Sequence, residues 1–301
     1  MKTLVTGATG FIGRALVARL LQEERQVTAW VRSVDRARTL LGPGVVLVPA
    51  ADGEKALRAA VRGADVVVNL AGEPIFGERW SDERRTELVE SRLFLTAALV
   101  DAMEDEPRRP DVLISASAVG YYGDRAEHAL SEQSPAGGDF LARLTADWEG
   151  AARRAEKIGV RVVTPRIGLV LGPEGGFLGR LLPIFRKGLG GTLGRGQQFM
   201  SWIHLDDLTR LICLAMVDSR FSGPVNAVAP EPVTNEQLTR ALAAAVGRRA
   251  FLPVPSLALK LAFGAASSAL LASQRVLNDR LQELGFDYKH PELEDALAAC
   301  V

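Results

Sequence analysis

Near its start the chain passes from the apolar stretch Lys2-Thr3-Leu4-Val5-Thr6 into Gly7-Ala8-Thr9-Gly10-Phe11-Ile12-Gly13. It then enters a run with Leu16, Val17, Leu20 and Leu21 at helical spacing. A strand, a glycine turn and a helix in that order constrain the fold more than any other feature. Gly7 permits the tight turn, Gly10 lets backbone N–H groups approach a pyrophosphate, and Gly13 lets the helix pack close to the strand. The positive end of the helix then faces the anion. The competing reading is a tight turn that holds nothing. The strand before and the helix after favour a dinucleotide cradle.

The rest of the chain keeps the same alternation. Strands are expected at Val27–Val31, Val45–Val48, Ala64–Leu70, Val112–Ser115 and Val160–Pro165, and helices at 54–61, 81–103 and 139–157. Near-continuous Val, Leu and Ile in the strands implies burial on both faces. The expected fold is therefore α/β: a doubly wound parallel (Rossmann) sheet. After about residue 170 the character changes. Residues 172–196 are rich in glycine and read as loops, and helices follow at 206–217, 235–246, 256–271 and 293–299. The expected division is a dinucleotide-binding domain over 1–170 and a smaller, mainly helical substrate lobe over 171–301.

The identity of the dinucleotide turns on the end of the second strand. An NAD site carries Asp or Glu about 20 residues past the glycines. Here the strand ends Trp30-Val31-Arg32-Ser33, with no carboxylate before Asp35. A guanidinium pairs bidentately with a 2′-phosphate, so Arg32 points to NADP(H); its alternative is a solvated loop residue. Composition narrows the partners. Lys plus Arg equals Asp plus Glu at 36 each, so no global charge draws the chain to nucleic acid or anionic lipid. No stretch approaches about 18 uninterrupted apolar residues, which argues against membrane insertion. The longest apolar region, 256–271, reads as a helix packed on protein. Cys213 and Cys300 lack partners at metal-ligand spacing, and Met1-Lys2-Thr3-Leu4-Val5 has no secretory pattern, so a cytoplasmic, reducing location and no metal are expected.

Further segments carry a resemblance. Thr6 to Gly13, Val67-Val68-Asn69-Leu70-Ala71-Gly72, Arg166 to Pro173 and Trp202-Ile203-His204-Leu205-Asp206-Asp207 resemble the extended short-chain dehydrogenase/reductase superfamily. Ser117-Ala118-Val119-Gly120-Tyr121-Tyr122-Gly123-Asp124, Gly188-Leu189-Gly190-Gly191, Met200 to His204, Asn226 to Pro230 and Leu271 to Leu277 are similar to a narrower subgroup. These are the atypical NAD-dependent epimerase/dehydratase-like proteins with a small C-terminal domain of unknown function, here about 248–298. The resemblance runs from residue 1 to about 298. It implies that Phe11, Ile12, Val31, Arg32, Leu70, Ala71, Glu87, Arg92 and Val170 line the coenzyme alongside Gly7, Gly10 and Gly13. Glu87 and Arg92 read equally well as an exposed ion pair. Relatives in that superfamily often form a homodimer through the helices matching 81–103 and 139–157; here Leu88, Leu95 and Leu99 face either a partner or the sheet.

The chain departs from that superfamily in its proton-transfer residues. Ordinary members use Ser or Thr to position a carbonyl, and Tyr-x-x-x-Lys to move the proton. Ser117 stands where the Ser belongs. The helix that carries the pair reads Phe140-Leu141-Ala142-Arg143-Leu144-Thr145, with Leu141 and Thr145 at the Tyr and Lys positions. Tyr121 and Tyr122 are substitutes if Arg92 or Arg166 supplies the cation; otherwise they pack the pocket wall. Ser117 likewise has an alternative, a strand-end hydroxyl bonded to the backbone. Among the remaining candidates, His204 is structural or a substrate wall, His128 and His290 stand alone, and Asp206-Asp207 reads as a helix cap. Arg180, Arg186 and Arg195 border either an anionic substrate or a mobile loop. Two functions follow. One is an NADP(H)-dependent oxidoreductase or epimerase moving a hydride to or from a small-molecule carbonyl or hydroxyl substrate. The other is a catalytically silent NADPH-binding sensor or regulator; the label of cell-division inhibitor on some relatives finds no physical reason in these residues.

Overall fold

Val66-Val67-Val68 and Val112-Leu113-Ile114 offer no polar face to water, so strands built from them need cover on both sides. The computed structural model describes residues 1–173 and 175–301. Its first half runs β1 (Lys2–Thr6), α1 (Phe11–Gln22), β2 (Gln26–Val31), α2 (Val34–Leu41), β3 (Val45–Pro49), α3 (Gly53–Arg62), β4 (Val66–Asn69), α4 (Asp82–Glu104) and β5 (Val112–Ser115). It continues through β6 (Ser117–Ala118), β7 (Ala129–Leu130), α5 (Phe140–Arg153), β8 (Arg161–Ile167), β9 (Leu169–Leu171), α6 (Gly176–Arg186), β10 (Phe199–Met200), β11 (Trp202–His204) and α7 (Leu205–Val217). The remainder is β12 (Gly223–Ala227), β13 (Val233–Thr234), α8 (Asn235–Ala245), α9 (Ser256–Phe263), α10 (Ser267–Leu271), β14 (Arg275–Val276), α11 (Asp279–Glu283) and α12 (Leu293–Ala298).

The main sheet has the order β3-β2-β1-β4-β5-β8-β12, all pairings parallel, with β6 continuing along β8. Successive side chains leave a strand on opposite faces, and two separate cores result. Val5, Val66, Val68 and Ile114 pack with α1 and α7 residues Leu16, Leu20, Leu208 and Ile212. Leu4, Val67 and Leu113 pack with Leu57, Leu99, Met103 and Ala152 from α3, α4 and α5. The chain builds outward from β1 to β3, then returns to place β4 on the other side. The crevice that a doubly wound sheet offers a ligand therefore opens at the carboxyl ends of β1 and β4.

The fold class stands as expected, with four departures in detail. Helix α2 escaped the periodicity because its only buried positions are Ala37 and Leu41; Ser33 caps it by accepting from Arg36 N at 3.4 Å. Within the glycine-rich stretch, Leu178, Leu182 and Phe185 are buried along one face of α6, so part of 172–196 is helix, not loop. The sheet does not end near residue 170. Its last strand, β12, comes from Gly223-Pro224-Val225-Asn226-Ala227, inside the stretch assigned to the second lobe. Gly and Pro disguised it, and an edge is where a strand tolerates proline. Finally, 256–271 is not one packed helix. It breaks between α9 and α10 at Gly264, and Leu257 and Leu261 on α9 are 69% and 67% exposed.

Two of the three leucines considered for a dimer face prove internal. Leu88 and Leu99 are fully buried within the protomer, and the exposed apolar residue of α4 is Phe94. Among the described residues no helix is long and apolar enough to cross a membrane, and no group of His, Cys, Asp and Glu is arranged to hold a metal ion.

Candidate coenzyme cleft and the polar network beside it

Strand β1 ends against the backbone that leaves β4. Gly7 has φ +68°, and a Cβ there would lie 2.6 Å from the Leu70 carbonyl and 2.8 Å from Ala71 N. A Cβ on Gly13 would run into the Gly7 carbonyl oxygen and lie 2.8 Å from Ala8 Cα. Both positions thus need the absence of a side chain to bring helix, turn and neighbouring strand together. Gly10 differs: it is exposed, and as the N-cap of α1 it has no side chain with which to bond the first N–H groups of that helix. A glycine turn leading into a helix N-terminus is the kind of site that fits the pyrophosphate of a dinucleotide.

The other expected coenzyme residues gather around it to different degrees. Leu70 and Ala71 are half-buried at the crevice. The Phe11 ring is enclosed by backbone from beyond β9, where side chains on Gly172, Gly175 or Gly176 would collide with it. Val170, half-buried on β9, pairs with Ile203 in the same region. Ile12 packs partly buried against the core, and Val31 is 4% exposed with its side chain inside that core. Arg32 is 86% exposed in its side chain and donates from Nη1 to Glu73 Oε1 at 2.5 Å.

Glu87 and Arg92 do not pair with one another. Glu87 is exposed and accepts from Arg84, which also donates to the Pro74 carbonyl at 2.7 Å. Arg92 is buried beneath the β4 exit, donating to Leu88 O at 3.0 Å and Glu73 O at 2.9 Å, with its guanidinium against Gly72. Burial pulls its pKa down to about 10, although the nearby Glu73 charge acts the other way.

Next to the cradle lies a network of buried polar side chains from four segments. Ser117 donates from Oγ to Glu149 Oε1 at 2.7 Å. Glu149 receives both arms of Arg166, at 2.8 and 2.9 Å, and the two side chains are 2% and 3% exposed. Arg166 Nη1 donates to Tyr122 Oη at 3.0 Å, and Tyr122 donates onward to Asn226 Oδ1 at 2.6 Å. Burial works against the Arg166 charge, but its hydrogen bonds and charge contacts with Glu149 and Tyr122 prevail and hold its pKa above the usual value. Burial pushes Tyr122 up to about 12 despite Arg166.

The two candidate phenols therefore separate. Tyr122 is fully buried, with its oxygen engaged in both directions, and it belongs to the wall. Tyr121 is half-buried, with the Arg166 guanidinium 3.5 Å above its ring centroid. The Ser117 hydroxyl donates to the Glu149 side chain, not to the backbone. A second chain of hydroxyls and amides supports the strand ends: Thr6 to Asn69 at 2.6 Å, Asn69 to Thr96 at 2.8 Å, and Trp148 to Thr96 at 2.9 Å.

Sequence reasoning did not find the roles of Glu149, Asn226, Asn69 or Glu73. Glu149 left a signal: it sits one helical turn past Thr145 on the buried face of α5, where a carboxylate needs a partner. His290 is not alone, because its ring lies 3.9 Å from that of His204. His204, not Asp206 or Asp207, caps α7, its Nδ1 accepting from Asp206 N at 3.2 Å. Burial foremost, and then His290, lowers the His204 pKa to about 4. The cavity there, about 390 Å³ between α1, the start of α7 and the C-terminal segment, is bordered by Arg19, Asp206 and Lys289 and by none of the cradle glycines. Arg180, weighed as an anion ligand, donates to the Phe76 carbonyl at 2.9 Å.

The chain matches a family model described as the NAD dependent epimerase/dehydratase family over residues 3–227, and a domain of unknown function, DUF1731, over 254–300. It is 42% identical to the chloroplastic epimerase family protein SDR39U1 homolog of Arabidopsis thaliana, covering 99% of this chain and 86% of that one. Identity to the Homo sapiens epimerase family protein SDR39U1 is 37% with full coverage of both. The crystal structure of the human protein (isoform 2) with NADPH superimposes with a TM-score of 0.89 at 36% identity, covering 99% and 98% of the two chains. UDP-glucuronic acid 4-epimerase from Bacillus cereus in complex with NAD shares the fold alone, at 20% identity and a TM-score of 0.79 over 99% and 95% of the chains.

Proposed function

Since the chain belongs to the NAD dependent epimerase/dehydratase family, we propose that it binds NADP(H) and works as an oxidoreductase or epimerase on a small carbonyl or hydroxyl compound. The observation that carries this reading is the glycine turn: the α1 N-terminus behind the exposed Gly10, with Arg32 at the end of the adjacent strand. A relative of similar length that was crystallised with NADPH supports the choice of coenzyme. In this reading residues 1–170 hold the coenzyme, and 171–301, with the helical segment at about 248–298, supply the substrate side.

When bound, the nicotinamide group gives a hydride to, or takes one from, a substrate carbon. Gly7, Gly10 and Gly13 admit the pyrophosphate, and Leu70 and Ala71 offer backbone along the dinucleotide. Arg32 meets the 2′-phosphate. Ser117 Oγ, its proton held by Glu149, presents lone pairs that accept from a substrate hydroxyl. To donate to a carbonyl it has to turn away from Glu149. Tyr121 is the phenol left for proton transfer at the substrate oxygen, with the Arg166 cation over its ring. Glu149 and Arg166 are positioning residues.

A binding-only role is favoured by one observation: the hydroxyls of Ser117 and Tyr122 are both engaged within the protein. The test is to follow nicotinamide absorbance while purified protein and NADPH meet a panel of aldehydes, ketones and sugar derivatives. Turnover that falls at least about a hundredfold in Ser117→Ala and Tyr121→Phe supports the enzyme. Tight NADPH binding with no turnover across the panel supports the binding protein, and absence of coenzyme binding overturns both.

A further inference from the structure

Arg32 and Glu73 come from strand ends on either side of β1. Arg32 follows β2 and Glu73 lies past β4, and the sheet order places β1 between them. Their ion pair, Nη1 to Oε1 at 2.5 Å, therefore crosses the carboxyl edge of β1, above the glycine turn. The two partners are unequal. The Glu73 side chain is 19% exposed and lies in the crevice, whereas Arg32 reaches in from solvent at 86%. The Glu73 main chain is pinned, because its N–H donates to Ser91 Oγ at 3.1 Å and its carbonyl accepts from Arg92 at 2.9 Å. The side chains can exchange partners while the backbone stays in place. Asp35, the nearest carboxylate in sequence, is directed to Arg38 instead.

We propose that Glu73 is a specificity-determining residue, a strap whose carboxylate holds Arg32 in the free protein and surrenders it to the coenzyme's 2′-phosphate. The inference rests on the NADP(H) reading above. A 2′-phosphate carries close to two negative charges near neutral pH and takes both arms of a guanidinium, so it displaces a single carboxylate. Arg32 moves at small cost because its charge is already hydrated. The released Glu73 carboxylate is not stranded, since Arg92 and Arg84 both feel its charge. A coenzyme without the 2′-phosphate offers nothing for the exchange and leaves the strap closed.

The test measures dissociation constants of NADPH and NADH, by fluorescence titration and calorimetry without substrate, for the wild type, Glu73→Gln, Arg32→Ala and the double variant. Glu73→Gln removes the competing charge and keeps the shape. It is expected to tighten NADPH about three- to tenfold, the scale of an exposed ion pair, and to change NADH by less than about twofold. Arg32→Ala is expected to weaken NADPH by about tenfold or more and to abolish the gain in the double variant. Unchanged or weaker NADPH binding in Glu73→Gln, or an equal gain for both coenzymes, overturns the strap while leaving the coenzyme assignment standing. A wild-type protein that binds neither coenzyme overturns both.

Discussion

The two halves of the crevice are built in opposite ways. At the β1–β4 side the structure removes side chains, so that backbone meets backbone and an anion can reach N–H groups: Gly7 against Leu70, Gly13 against Gly7, Gly10 open to solvent. At the β5–β8 side it does the reverse, filling the space with Ser117, Glu149, Arg166, Tyr122 and Asn226, each engaged by another. On the proposed reading the first side is a receptacle whose chemistry comes from the coenzyme. The second is a rigid polar block, and buried networks of this kind fix geometry only when every member is satisfied.

Three changes break or sharpen that contrast, in descending order of effect. Glu149→Ala leaves Arg166 as a buried cation without its counter-ion. It should destabilise the protein by about 3–5 kcal/mol, read as a large fall in the urea midpoint. A loss below about 1 kcal/mol means that the block is not a unit. Gly13→Ala sets backbone against backbone. A cost of about 3 kcal/mol is expected, together with loss of NADPH binding in whatever folded protein remains. Retained stability and binding indicate a turn with slack the geometry does not show.

The smallest expected effect is the pH response of His204, in the cap of α7, away from both sides. Its folded pKa of about 4 lies below the unfolded value near 6.5, so the unfolded chain takes up the proton first. The contribution of the neutral ring is complete above about pH 6.5 and is lost as pH falls toward 4. Thermal melts between pH 7.5 and 5 should show a larger drop for wild type than for His204→Asn, which keeps an acceptor at the cap. Parallel curves refute the assignment.

The same contrast decides what can be read from the amino acids. The receptacle is legible because its demands are local: a strand, three glycines at fixed spacing and a helix occupy one short segment, and Arg32 follows at the end of the next strand. The polar block brings its members from β6 and the turn that follows it, α5, β8 and β12, and no local pattern announces such a meeting. Ser117 and the two tyrosines stand out by residue type, but the difference between Tyr121 and Tyr122 rests on Asn226, more than a hundred residues away. The missed elements follow the same logic. Helix α2 buries too little to leave a periodic trace, the glycines around α6 dilute its apolar face, and β12 carries residues that disfavour strands away from an edge.

Strand β12 has a consequence for how this molecule comes into being. Until residue 227 has emerged during synthesis, β8 presents an unguarded row of amide and carbonyl groups, and Tyr122 lacks the acceptor that Asn226 provides. A fragment cut near residue 170 would inherit both defects permanently and would tend to stick to its own copies. The main sheet is therefore finished only by a ribbon delivered late, after the chain has already travelled through α6 and α7.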